Sequence, residues 1–98
     1  MKLLGTYNID GFSRNIDLSS DGNTVYVASG GLHIIDVSIP ESPTLLGTYK
    51  VIDNWGQTGI FDVTVSSDNT IAYATNGSGL QILDVTDKTT PVLLGSLD

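Results

Sequence analysis

Apolar and polar residues alternate along much of this chain, with a period of two rather than 3.6. Asn15-Ile-Asp-Leu-Ser and Phe61-Asp-Val-Thr-Val are the clearest instances. Each puts every second side chain on one face, as a half-buried strand does. Thr24 to Ala28 and Ile71 to Thr75 are β-branched and aromatic and predict two more strands. Leu32 to Val37 and Leu80 to Val85 are almost continuous apolar runs, the pattern of strands covered on both faces. Leu3 to Ile9, Leu45 to Ile52 and Val92 to Leu97 complete the predicted strands. Turn chemistry separates them: Asp10-Gly11, Ser20-Asp-Gly-Asn, Ser29-Gly-Gly, Ser67-Asp-Asn-Thr and Asn76-Gly-Ser-Gly. Asp21-Gly22 supplies the positive φ of a tight hairpin. Pro40 and Pro43 bracket a further turn, since proline cannot donate to a central ladder. No apolar pattern at i, i+3, i+4, i+7 lasts the roughly ten residues a helix needs, so the predicted class is all-β.

The pattern occurs twice. Leu-Leu-Gly begins at Leu3, Leu45 and Leu93, 42 and 48 residues apart, and every segment of the first interval has a counterpart in the second. Two loops account for the difference in length: Asp53-Asn-Trp-Gly-Gln-Thr enlarges the loop that is Asn8 to Ser13 in the first round, and one residue is added within 76–79. Counted from the triplet, repeat 1 covers about 3–44, repeat 2 about 45–92, and 93–98 opens a third. A unit of roughly 40–50 residues with four short strands has the size of a β-propeller blade.

Leu32-His-Ile-Ile-Asp-Val-Ser and Leu80-Gln-Ile-Leu-Asp-Val-Thr, each followed by a short turn, a proline and Leu-Leu-Gly, resemble the LVIVD-repeat family of bacterial and archaeal β-propellers. Tyr26-Val-Ala and Tyr73-Ala-Thr resemble that family's Tyr-Val-Ala strand. The resemblance covers essentially the whole chain as one two-blade unit. It implies a propeller fold and no particular activity, because the repeat is a structural unit.

Two blades are fewer than a propeller needs. Blades stack face to face, so a lone pair shares one interface and leaves two outer faces bare, as apolar patches that monomers rarely tolerate. The expected partner is therefore the chain itself, three copies closing six blades or four closing eight, provided the head-to-tail rotation closes the circle. Three Leu-Leu-Gly strands but only two sets of the others leave one surplus strand. Leu3 to Ile9 and Leu93 to Asp98 should compete for one outer edge, with one of them displaced. The same surplus fits a truncated or engineered piece of a longer propeller. A monomeric eight-strand sandwich is the other architecture the pattern allows.

Composition narrows the function. Eleven acidic residues face four scattered basic ones, a net charge of −7. No basic stripe is available to displace counterions from a phosphate backbone, which argues against nucleic acid and an anionic membrane surface as partners. No apolar run approaches the roughly 20 residues of a bilayer span, and Gly5 interrupts the first apolar stretch, which lacks a signal-peptide core, so the chain is expected to be soluble. There is no cysteine, which removes disulfides and thiolate metal sites.

Candidate chemistry is sparse. Asp36 and Asp84 share one place at a strand end, and Asp21 and Asp68 share another in Ser-Ser-Asp; all four read as turn makers whose carboxylates accept backbone N–H groups. His33 is the one histidine, in a strand slot held by Gln81 in the other round, with no second ligand beside it. No nucleophile elbow or phosphate loop occurs. No catalytic residue, metal or cofactor is therefore expected. The candidate binding residues are Asp53, Asn54, Trp55 and Gln57 in the enlarged loop, with Asp10, Phe12 and Arg14 in its first-round counterpart. The expected function is a non-catalytic scaffold that self-assembles, with recognition by these loops at the channel mouth. The alternatives are a fragment of a propeller enzyme with its site at the channel, and a sandwich-type binding module.

Overall fold

The alternating segments become eight strands among the residues that the computed structural model describes, 3–7, 15–50, 59–60, 62–75 and 79–97. They are β1 (Asn15–Leu18), β2 (Thr24–Ala28), β3 (Leu32–Asp36), β4 (Thr44–Tyr49), β5 (Asp62–Val65), β6 (Ile71–Thr75), β7 (Leu80–Asp84) and β8 (Val92–Leu97). The first four form one antiparallel sheet in the order β1-β2-β3-β4, and the last four form a second in the order β5-β6-β7-β8. Strands adjacent in sequence are adjacent in space throughout, which is the antiparallel meander of a propeller blade.

The two sheets share their register. Tyr26 is opposite Asp17 and Ile34, and Tyr73 is opposite Thr64 and Ile82. Both β3–β4 and β7–β8 carry a bulge, because Ile34 and Ile35 face Gly47 and Leu45, and Ile82 and Leu83 face Gly95 and Leu93. Leu46 and Leu94 are the extra residues. The first hairpins also agree. Ser19 N–H donates to the Thr24 carbonyl at 2.8 Å, and Ser66 N–H donates to that of Ile71 at 2.8 Å. The left-handed position in these loops is Gly22 (φ 76°) in one and Asn69 (φ 64°) in the other. Asparagine is among the few side chains that tolerate it.

Alternation gives each sheet two faces. The front of the first carries Asp17, Tyr26, Ala28, Leu32, Ile34 and Gly47, and its back carries Ile16, Leu18, Val27 and Ile35. The core lies between the front of the first sheet (Tyr26, Ala28, Leu32, Ile34) and the back of the second (Val63, Ala72, Ala74, Leu83), with Ile60 and Val85 completing the cluster. Each fully buried Leu, Ile or Val side chain there contributes about 1.5–3 kcal/mol. The sheets meet most closely at their first strands, where β5 packs against β1 and β2.

One expected strand is not formed. Leu3–Tyr7, the described part of the predicted strand Leu3 to Ile9, has no strand structure. Its sequence matches β4 and β8, but those two strands pair with β3 and β7, and both positions are taken. The duplicated edge thus resolves with Thr44–Tyr49 and Val92–Leu97 in the sheets and the first copy outside them.

Candidate functional site

The strand-end and hairpin carboxylates stabilise turns. Asp36 accepts from Ser38 N–H at 2.8 Å and Asp84 from Thr86 N–H at 2.9 Å. Asp21 accepts from Asn23 N–H at 3.0 Å, and Asp68 accepts from the Ser66 hydroxyl at 2.7 Å and Thr70 N–H at 3.1 Å. These donors favour the charged form, so all four carboxyls are held below the usual aspartate range. The Ser19 hydroxyl leads for Asp21, Ser38 N–H for Asp36, the Ser66 hydroxyl for Asp68 and the Thr86 hydroxyl for Asp84. Asp87, bound by Thr89, behaves likewise. His33 Nε2 lies 3.1 Å from the Ser29 carbonyl oxygen, a local contact across the β2–β3 turn. Asp10, Phe12, Arg14, Asp53, Asn54, Trp55 and Gln57 lie outside the described residues.

The site the described residues do build is the junction between the sheets. Val65 N–H donates to Asp17 Oδ2 at 2.8 Å. Ser20 N–H donates to Asn69 Oδ1 at 3.1 Å, and Asn69 Nδ2 donates back to the Ser20 hydroxyl at 3.0 Å. Lys88 Nζ braces the second sheet from beneath, donating to the carbonyls of Asn69 (3.1 Å) and Val85 (3.0 Å). At the outer edge the 85–91 turn presses on β4: a Cβ at Gly47 would overlap the Lys88 carbonyl oxygen and lie 3.0 Å from that of Thr89. Only a residue without a side chain fits there. The Tyr26 hydroxyl, buried in the junction, has no hydrogen-bond partner among the described residues. Burial, then the charges of Asp21 and Asp17, push its pKa up.

Repeat symmetry gives several residues of this junction a counterpart that the described residues leave exposed. Tyr26 is fully buried, while Tyr73 is 42% exposed. Leu46 and Tyr49 pack on the core, whereas Leu94 and Leu97 are exposed. Gly47 has a turn against it; a Cβ at Gly95 meets nothing within 4 Å. The opposite face shows the same contrast at its first strands. Val63 is buried, and its counterpart Ile16 is 65% exposed, with Leu18 exposed beside it. The front of the second sheet, where Tyr73 is exposed, and the back of the first, where Ile16 and Leu18 are exposed while Val27 and Ile35 are buried, thus correspond to the two halves of the junction already formed inside the chain.

Leu3–Tyr7 belongs to this scheme. A Cβ at Gly5 would overlap the Pro40 carbonyl oxygen and crowd Glu41, and Pro40 and Glu41 are the counterparts of Lys88 and Thr89. Gly5 therefore sits on the first sheet's turn as Gly47 sits on the second's. The sequence signal for this contact was the thrice-repeated triplet, which marks the repeat without disclosing that its glycine meets another backbone.

Comparison with known families finds the LVIVD repeat twice, at residues 10–51 and 60–98. No curated protein matches. Among solved structures, a functionally unknown protein from Desulfotomaculum acetoxidans DSM 771 is similar over 86% of this chain, with a TM-score of 0.69 and 24% identity. The chain spans 26% of the length of that structure, and the likeness is one of fold.

Proposed function

The chain belongs to the LVIVD-repeat family, and we propose that it is a non-catalytic blade module that joins copies of itself head to tail into a closed propeller scaffold. The observation that carries this reading is the paired exposure at equivalent positions: Tyr26 covered and Tyr73 bare on the front faces, Val63 covered and Ile16 bare on the back faces. The sheets stack front to back. A two-sheet sandwich related by a twofold axis would bring like faces together and satisfy both; front-to-back stacking leaves one face of each kind free. Such a heterologous contact propagates until it closes. Three copies would give six blades and four would give eight, within the usual range.

The absence of a catalytic role is part of the proposal. It is supported by the carboxylates whose pKa values are shifted: all are lowered by turn donors, whereas an acid–base site needs groups tuned toward the working pH. Recognition, where the scaffold performs it, is assigned on sequence alone to the loops holding Trp55 and Arg14.

A mixing experiment tests the head-to-tail geometry. Ile16→Asp damages only the back of the first sheet, and Tyr73→Asp damages only the front of the second. Each variant alone should remain monomeric, and an equimolar mixture should give a one-to-one pair and nothing larger. Assembly of either variant alone, or a mixture that stays monomeric, would overturn the reading.

A further inference from the structure

Gly95 is a glycine that no contact among the described residues requires. Its φ is not in the left-handed region, and a Cβ there would meet open space. Its two counterparts are glycine for an evident reason, since each has a turn backbone against it: Pro40–Glu41 at Gly5 and Lys88–Thr89 at Gly47. The flanking residues are alike, Leu3-Leu-Gly-Thr-Tyr, Leu45-Leu-Gly-Thr-Tyr and Leu93-Leu-Gly-Ser-Leu. Three seats of one design thus face two turns. The Lys88–Thr89 turn is committed within the chain by β4. Among the described residues, the Pro40–Glu41 turn is met by Leu3–Tyr7 at Gly5, and that segment pairs with no strand and leaves Leu3 75% and Leu4 51% exposed.

Resting on the head-to-tail reading proposed above, we infer that Leu3–Tyr7 is a displaceable internal stand-in for a neighbour's β8, and that Gly95 is the seat for the Pro40–Glu41 turn of a second copy. The occupant is a second copy because the turn that fits a Leu-Leu-Gly seat is one this chain carries, already engaged with such a seat. Joining two copies exchanges one segment for another on the same turn: Leu3–Tyr7 of the incoming copy leaves, and β8 of its neighbour takes its place. The incoming β8 is anchored in a four-stranded sheet, whereas the departing segment is not. The exchange therefore favours assembly, and Leu3–Tyr7 holds the isolated chain back from it.

Two substitutions in the full-length chain separate these roles, read as the dissociation constant from sedimentation over a concentration series. Gly95→Val adds a side chain where the isolated chain has room, so its dilute thermal unfolding should be unchanged while self-association weakens at least about tenfold. Gly5→Val should expel the stand-in and strengthen association by about the same factor. The double variant should associate as weakly as Gly95→Val. If Gly95→Val weakens association but Gly5→Val does not strengthen it, the stand-in role is overturned while the head-to-tail reading stands. If Gly95→Val associates as the parent does, the seat is overturned. If neither the parent nor Gly5→Val associates at any concentration, both readings fall.

Discussion

Gly47 and Gly95 occupy the same place in successive repeats, yet only at Gly47 does a second backbone press in. Gly47→Ala should therefore destabilise the dilute chain by about 1–3 kcal/mol through overpacking, and Gly95→Ala should change it by less than about 0.5 kcal/mol. Denaturant midpoints of the two variants side by side check this. Tyr26 offers a second test. Its hydroxyl is buried without a partner among the described residues, so Tyr26→Phe should be neutral or stabilising by up to about 1 kcal/mol, and a clear loss of stability would reveal a partner. The turn carboxylates set the acid limit. Asp21, Asp36, Asp68, Asp84 and Asp87 all lie below the usual 3.8 in the folded chain. Because their folded values are depressed, the stability they contribute is fully present above that pH and is lost as pH falls through the lowered values. Urea midpoints should be level from about pH 7 to 5 and fall below about pH 4, less steeply in Asp84→Asn.

At the scale of the element, the strands were legible because alternation and turn residues are local. Ser20-Asp-Gly-Asn turns as its sequence predicts, with Gly22 left-handed, and β2, β6 and β8 begin and end where the residue pattern places them. Leu3 to Ile9 carries the same local signal as β4 and β8, yet its described part forms no strand, because a strand also needs an open edge of its own sheet. That condition is tertiary and leaves no mark in seven residues. The glycine contacts were hidden for the same reason. The candidate loops lie outside the described residues and rest on sequence alone. The asymmetry between equivalent strands is measurable. Val63 on β5 is buried and Ile16 on β1 is exposed. In the dilute chain Val63→Ala should cost about 2 kcal/mol, and Ile16→Ala less than about 0.5 kcal/mol, by chemical denaturation.

For the whole molecule, the junction inside the chain and the one proposed between copies share a geometry but differ in their polar ties. Asp17 and Asn69 tie the internal junction to Val65 N–H and Ser20. Their counterparts at a junction between copies are Thr64 and Gly22, and glycine has no side chain to donate. The contact between copies should therefore be weaker than the one within the chain. Dilution should separate copies well before any chain unfolds, as seen by following mass and circular dichroism together. The most direct test of head-to-tail closure is the absolute mass of the intact chain by light scattering behind size exclusion, across a wide concentration range. Ring closure predicts a 10.4 kDa species at high dilution giving way to one discrete species of three or four times that mass. A folded chain that stays at 10.4 kDa at every concentration would contradict it.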